Sequence, residues 1–275
     1  MEKILEVKAS GKAFPMLLRD YLRSLNLSTA VIKEAKRTGI FLNGMAVTVR
    51  AMVKEGDLLE VYISEAKSDG IVPMDIPLEV IYEDEDILAV DKPTNMPTHP
   101  SKGNSLPTLA NAVMGYYGGN FVFRSVNRLD RDTSGIVIIA KNRLSASELS
   151  KSMKRGEWQK TYHAIVDGVP TEKSGVIDAP IERVCEGNIK RMVREDGKRA
   201  ITEYNVLESY GDSSLLKITL KTGRTHQIRV HMSYIGHPLV SDFLYGTLSE
   251  GEYYLRCKEI AFPHPKTKEK IVIKA

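Results

Sequence analysis

Val126 to Asn142 reads VNRLDRDTSGIVIIAKN. A polar, charge-dense loop, Asn127 to Ser134, passes through Gly135 into IVIIA, an uninterrupted apolar run that predicts a buried central strand. Carboxylates on a loop held by a rigid strand are a common setting for chemistry. Asp130 and Asp132 are the candidate carboxylates.

Three readings compete for this loop. In the first, the aspartates are turn formers that hydrogen-bond their own backbone, the usual role for an isolated D-x-D-T-S-G string. In the second, Asp130, Asp132 and Ser134, with Gly135 in the sixth position, open a calcium loop. That reading fails at the twelfth position, where Lys141 stands in place of a bidentate glutamate, and because the loop leads into a strand. The third, a catalytic carboxylate, needs support from the rest of the chain.

Outward from the loop, Ser105 to Tyr117 predicts a helix before it, and Leu144 to Arg155 one after, with Leu144, Ser147, Leu149 and Met153 on or near one face. The strand KTYHAIVDG follows, with Tyr162 near its start. Upstream, LEVIYEDEDILAVDKP is two apolar runs around an acidic turn, a hairpin that ends in Asp91-Lys92-Pro93 and a Pro-rich loop through His99. His99 reads as an ordinary loop histidine. Downstream, Gly175 to Lys198 is polar and basic (Arg183, Lys190, Arg191, Arg194, Lys198) and reads as a long hairpin or loop reaching over substrate. The strands ITEYNVLESY and SLLKITLK pair around Gly211-Asp212. The second runs into TGRTHQIRVHMSYIG, where a strand ends at Gly223 and a helix begins near Thr225, with Ile228, Met232 and Ile235 inward and Gly236 closing it. His226 and His231 are five apart and share no helical face, so they do not form a zinc pair.

Residues 1–63 read as a separate module. Pro15 to Ser24 carries leucines at helical spacing with Arg19 and Arg23 on it, and Ser28 is placed to cap a second helix, Thr29 to Thr38, bearing Lys33, Lys36 and Arg37. Two strand segments follow, GIFLNGMAVT with an Asn43-Gly44 turn and DLLEVYI after Gly56-Asp57. The module holds ten Lys and Arg against seven Asp and Glu, a balance of +3 in a chain whose total is +4. Residues 64–77, punctuated by Gly70, Pro73 and Pro77, form a linker.

The 275 residues, 42% hydrophobic and 27% charged, are enough for a substantial core. Cys185 and Cys257 have neither disulfide nor zinc spacing. The opening MEKILEVKASGKAF has no signal-peptide core and no segment approaches a membrane span, so the expectation is a cytoplasmic protein.

Arg128-Leu129-Asp130 with Thr133-Ser134-Gly135 resembles the R-L-D-x-x-T-S-G signature of the RluA-type RNA pseudouridine synthases. Asp91-Lys92-Pro93 is similar to that family's D-K-P, Lys160-Thr161-Tyr162 to its K-x-Y, Thr222 to His231 to its third motif, and YYLRCKEIAFPHP to its last, with Leu255 as a pocket-wall residue. Asn127 stands where the family commonly has His, and Thr94-Asn95-Met96 where it has a Gly-containing turn. The resemblance covers about Pro77 to the C-terminus. The two helices and hairpin of the first module, with K-E-G-D before its last strand, resemble the S4 RNA-binding domain.

The resemblance implies an α+β chain: an S4-like RNA-binding domain over 1–63 and a catalytic domain over 78–275, a long mixed, mostly antiparallel sheet flanked by helices. It implies isomerisation of uridine in structured RNA, ribosomal before transfer RNA, by base flipping, glycosidic cleavage and reattachment through C5. The reaction gains and loses no atoms and needs no cofactor. No obligatory protein partner is expected, and the chain is expected to be a monomer.

The step demands a carboxylate near the anomeric carbon or the base, and Asp130 fills that role. A bidentate guanidinium best favours its ionised form, which makes Arg224 the expected partner. The residues leave open whether Asp130 attacks C6, attacks C1′ or takes a proton. Tyr162 is expected to pack on the flipped uracil and to take the C5 proton late in the reaction, and Arg128 to fill the gap left in the base stack. Asn127, Leu129, Thr133, Lys160, His226, Gln227, Arg229 and Leu255 are the further expected substrate contacts. A non-catalytic S4-type RNA-binding protein explains the first module but not the recurring motifs. A nucleosidase shares the carboxylate logic but not the RNA-binding module.

Overall fold

The structure is a computed structural model that describes residues 2–25, 27, 29–63, 70–100, 107–246 and 252–275. Expected features at Ser28, at Ser105 and Leu106, and over residues 64–69 of the linker lie outside the described residues.

The first unit runs β1 (Glu2–Lys8), β2 (Met16–Leu17), α1 (Leu18–Ser24), α2 (Thr29–Thr38), β3 (Ile40–Leu42), β4 (Met45–Ala46), β5 (Met52–Val53) and β6 (Leu58–Ile63). Leu18, Leu22, Val31, Ile32 and Ala35 from the helices close over Ile40, Leu59 and Val61 from a four-stranded sheet of order β1-β6-β3-β4. Asn43 and Gly44 both take positive φ (52° and 76°), as a two-residue turn matched to strand twist requires. Two details differ from expectation. The strand β1 pairs antiparallel with β6 although its sequence gives little apolar signal, and α1 begins at Leu18, not Pro15, because Met16–Leu17 pairs with Met52–Val53.

The second unit has its own core. Its elements are β7 (Glu79–Glu83), β8 (Ile87–Lys92), α3 (Leu109–Tyr116), β9 (Ser134–Ala140), α4 (Arg143–Lys154), β10 (Gln159–Asp167), β11 (Ser174–Asp178), β12 (Ile181–Arg183), β13 (Arg191–Val193), β14 (Ile201–Ser209), β15 (Ser213–Leu220), α5 (Gln227–Tyr234), β16 (Leu255–Pro263) and β17 (Lys270–Lys274). Among the described residues these build a nine-stranded sheet of order β11-β14-β15-β10-β16-β9-β8-β7, with β17 also on β16. The β16–β9 pair is parallel and the other neighbours are antiparallel, which is the mixed, mostly antiparallel sheet expected. Ile136 to Ala140 are fully buried, so the IVIIA run is a central strand.

Gly135 is where the loop carrying Asp130 becomes β9. It takes φ +109°, and a Cβ there would come within 2.3 Å of the Cys257 carbonyl oxygen, its neighbour in the parallel pair. Glycine is therefore what lets β9 join β16 at the point where the charged loop ends.

The segment expected to be one long hairpin over 175–198 divides in two. Ser174–Asp178 is the edge strand β11, paired with β14, and the free hairpin is β12–β13. The junction before α5 is also longer than expected. Strand β15 ends at Leu220, and His226, at φ 58°, is the N-cap of a helix that begins at Gln227. No helix among the described residues is long and apolar enough to cross a membrane.

Candidate active site

The loop before β9, the start of β10, the start of β16 and the approach to α5 meet in a cleft of about 630 Å³. Every expected residue of the second unit lines it: Asp130, Tyr162 and Arg224, and also Asn127, Arg128, Leu129, Thr133, Lys160, His226, Gln227, Arg229 and Leu255.

The loop that carries Asp130 is held from below by the D-K-P segment. Lys92 is fully buried, and its ammonium donates to the carbonyls of Pro93 (2.8 Å), Met96 (2.7 Å) and Arg131 (3.1 Å). All three ammonium protons are used, and one ties the neighbour of Asp130 to the preceding loop. Thr98 adds a hydroxyl bond to Leu129 O at 2.9 Å and Thr94 one to Asp132 O at 2.9 Å. Asp91 is paired with Arg256 of β16. Burial pushes the Lys92 ammonium down to about 8, against the charges of Asp132, Asp130 and Asp91, so it remains protonated at neutral pH.

Lys92→Met is expected to cost about 3 kcal/mol, because the three acceptors are backbone carbonyls that no compensating substitution removes. A fall of that size in the urea-extrapolated unfolding free energy checks it, and an unchanged midpoint would show that the ammonium is not a tie.

Several expected substrate contacts are otherwise committed. The Asn127 side chain donates to Ile136 O (3.0 Å) and accepts from Ile138 N–H (2.8 Å), so its amide fastens the loop to β9. Gln227 accepts from Thr222 Oγ1 and Arg224 N–H, and donates to Ile201 O and Thr202 Oγ1. Its four bonds leave no group for substrate. Leu129 and Thr133 are buried.

The pairing of Asp130 with Arg224 is corrected. Arg224 turns its Nε to Arg199 O at 2.9 Å, and among the described residues it makes no ion pair with Asp130. The reason is local: Arg224 lies in the turn before α5, where its backbone N–H is held by Gln227. A guanidinium whose charge bears on Asp130 is Arg229, in the first turn of the helix. Arg229 is buried and forms a bidentate pair with fully buried Asp242 (2.7 and 2.6 Å), beside the rings of Tyr245, Phe243 and Tyr253.

Tyr162 sits across from Cys257 in the β10–β16 pairing. Burial, then Cys257 and the charge of Asp130, raise the phenol's pKa well above its usual value. Tyr162 is thereby held as a neutral phenol. That suits packing against a base and disfavours the phenolate that taking the C5 proton requires. The Lys160 ammonium lies 5.6 Å from the centroid of the Trp158 ring and 3.6 Å from Met153 Sδ, and burial lowers its pKa.

His226 faces Asp130 with Nε2 3.8 Å from Oδ2 and meets the Tyr245 hydroxyl through Nδ1 at 2.7 Å. Tyr245, Asp242 and Lys92 were not singled out as site residues from the sequence. A D-K-P lysine directly before a proline offered a signal for Lys92. The unperiodic stretch around Asp242 and Tyr245 offered none. In the first unit, Arg19, Arg23, Lys33, Lys36 and Arg37 are all exposed, and Arg19 and Arg23 share Asp20 at 3.3 and 3.7 Å.

Residues 86–234 match the family model for RNA pseudouridylate synthases. The chain is 38% identical over 262 residues to an uncharacterised RNA pseudouridine synthase of Bacillus subtilis (strain 168), a match covering 92% of this chain and 93% of that one. It is 38% identical over 250 residues to the ribosomal large subunit pseudouridine synthase D of Blochmanniella floridana, covering 88% of this chain and 78% of that one. Among solved structures, human RNA pseudouridylate synthase domain containing 1 superposes with a TM-score of 0.62 at 28% identity, over 72% of this chain and 83% of that one.

Proposed function

The chain belongs to the RluA-type RNA pseudouridine synthases, and on that premise we propose that it acts on ribosomal RNA with Asp130 as its catalytic carboxylate. It isomerises uridine in RNA: the bond from ribose C1′ to uracil N1 is broken, the base turns, and C1′ is rejoined to C5 as the C5 proton leaves and N1 gains one.

The observation that carries the assignment of the cleft is its charge. Arg128, Lys154, Lys160 and Arg224 all line it, and among the described residues none of them is ion-paired with a carboxylate, while the Asp130 carboxylate stands in their midst. Cations left uncompensated around one carboxylate suit a polyanion bent over a reacting centre. A volume of about 630 Å³ accommodates a nucleotide turned out of its stack. Tyr162 and Leu255 supply apolar walls for the uracil. Arg128, exposed at the rim, is placed to occupy the gap in the stack. Asp130 meets the substrate at C1′ or C6, and Arg229 supplies fixed positive charge behind it.

The first unit, residues 1–63, acts as an S4-like RNA-binding domain through the exposed Arg19, Arg23, Lys33, Lys36 and Arg37, joined by residues 64–77 to the catalytic domain over 78–275. Ribosomal RNA is favoured because the relatives that match most of the chain include ones named for the large ribosomal subunit. The protein works in the cytoplasm as a monomer.

Mapping of pseudouridines by carbodiimide labelling tests this, in ribosomal and transfer RNA from cells with the normal gene, a deletion, and Asp130→Asn. Discrete ribosomal sites are expected to vanish in the deletion and to stay absent with Asp130→Asn. Loss confined to transfer RNA overturns the ribosomal assignment, and sites restored by Asp130→Asn overturn the role of the carboxylate.

A further inference from the structure

His226 stands between two groups. Its Nδ1 is 2.7 Å from the Tyr245 hydroxyl, and its Nε2 is 3.8 Å from Asp130 Oδ2. The Tyr245 oxygen also accepts the backbone N–H of Arg191, from β13, at 2.9 Å. A phenol has one proton, and while its oxygen accepts from Arg191 it can give that proton to His226 Nδ1 at 2.7 Å. With that proton given to Nδ1, a neutral imidazole carries its own proton on Nε2, the nitrogen that faces Asp130, and this tautomer is part of the proposal below.

The backbone carries a second signal. His226 is the N-cap of α5, yet its side chain makes no capping bond, and it takes the left-handed conformation at φ 58°, ψ 19°. Asparagine or glycine would suit that backbone with less strain. Neither reaches Tyr245 and Asp130 together. Strain kept at such a site is explained by what the side chain does there.

We propose that His226 is a positioning residue for Asp130: a neutral imidazole, held from behind by Tyr245, turns its Nε2–H toward the carboxylate and fixes the rotamer in which Asp130 meets the substrate. The inference rests on Asp130 being the catalytic carboxylate. It departs from the expectation that His226 binds substrate, since one nitrogen is taken by Tyr245 and the other faces Asp130. The 3.8 Å gap exceeds a hydrogen bond, and closing it takes a shift of about 1 Å as substrate seats.

The charged groups around the imidazole come from each neighbouring element: Asp130 from its loop, Arg229 from α5, Asp242 from the segment after α5 and Arg191 from β13. Burial, then Arg229 and Arg191, lower its pKa against Asp130 and Asp242, so the neutral form prevails at pH 7. Protonation would make His226 a full counter-ion of Asp130 and quiet the carboxylate. Activity is thus present above the pKa of His226 and lost as pH falls through it. Removing the hydroxyl that donates to Nδ1 makes protonation easier and moves that limb to higher pH.

The test compares the full chain with Tyr245→Phe and Asp130→Asn. The ring nitrogens of His226 are followed by NMR. Single-turnover release of tritium is followed from RNA of cells lacking the gene, labelled at uridine C5. The expected results are an Nε2–H tautomer in the normal protein and, in Tyr245→Phe, a rate lower by about tenfold with RNA affinity retained. The acid limb of that variant is expected to move up by about one pH unit. A purely structural Tyr245 would lower the rate and leave the shape of the profile unchanged, which overturns the proposal, as does a proton found on Nδ1. Full activity in Asp130→Asn overturns the assignment of Asp130 and this inference with it. An inactive Asp130→Asn beside an unshifted Tyr245→Phe overturns the role of His226 alone.

Discussion

Asp130→Asn is expected to lower single-turnover pseudouridine formation by at least about 10⁴-fold while leaving the fold and the affinity for RNA in place. Asparagine has the same shape, so the cleft keeps its form. What is lost is the negative oxygen that attacks carbon or takes a proton, and an amide does neither. The stability change is expected to stay within about 0.5 kcal/mol, because Asp130 is partly exposed and His226 Nε2 stands 3.8 Å from it, beyond a hydrogen bond. RNA affinity is expected to hold or rise, since the substitution removes a negative charge from among Arg128, Lys154, Lys160 and Arg224. Filter binding at two salt concentrations beside tritium release checks both halves. Retained turnover would mean that the carboxylate is not the reacting group, and affinity lost together with turnover would mean that it shapes the cleft instead.

The residues that make this separation possible were legible to unequal degrees. Local patterns carried the β7–β8 hairpin, the buried β9 run, α4 and the turn at Asn43-Gly44, because each depends on neighbours within a few positions. The parallel pairing of β9 with β16 joins Gly135 to Cys257, and no periodicity reports a contact at that separation. The edge strands β1 and β11 were missed for a related reason. They bury little apolar surface, and their pairing is supplied by β6 and β14. All twelve expected site residues of the second unit came to one cleft, yet their individual tasks did not follow from type and spacing. Asn127 and Gln227 were expected to contact substrate, and their side-chain amides are bonded within the protein. Arg224 and Arg229 are both arginines of one motif. Which of them interacts with Asp130 is decided by where α5 begins, a boundary that sequence places only to within a few residues. The structure shows how far the helix departs from a one-sided pattern: α5 buries Gln227, Arg229 and His231 together with Ile228, Val230 and Met232, so its polar residues are satisfied inside the protein.

Arg229 separates stability from chemistry most sharply. Arg229→Met is expected to cost about 3–5 kcal/mol, because it leaves the fully buried Asp242 without its cation. Adding Asp242→Asn removes the stranded charge. The asparagine oxygen can still accept from the Leu244 and Tyr245 N–H groups that now bond Asp242 Oδ1 at 3.0 and 3.1 Å, so the turn survives. The double variant is therefore expected to recover more than half of the lost stability in urea unfolding. Activity is not expected to recover with it. The charge of Arg229 interacts with that of Asp130, and its low-dielectric setting among Tyr245, Phe243 and Tyr253 makes it an effective stabiliser of negative charge developing beside the carboxylate. Both variants are expected to turn over about 10²–10³-fold more slowly than the normal enzyme, with the deficit in the single-turnover rate and not in RNA affinity. If activity returned in step with stability, Arg229 would be a structural ion-pair partner, and the positive charge behind Asp130 would have to come from Lys92, whose ammonium is itself held by the loop that Asp130 stands on.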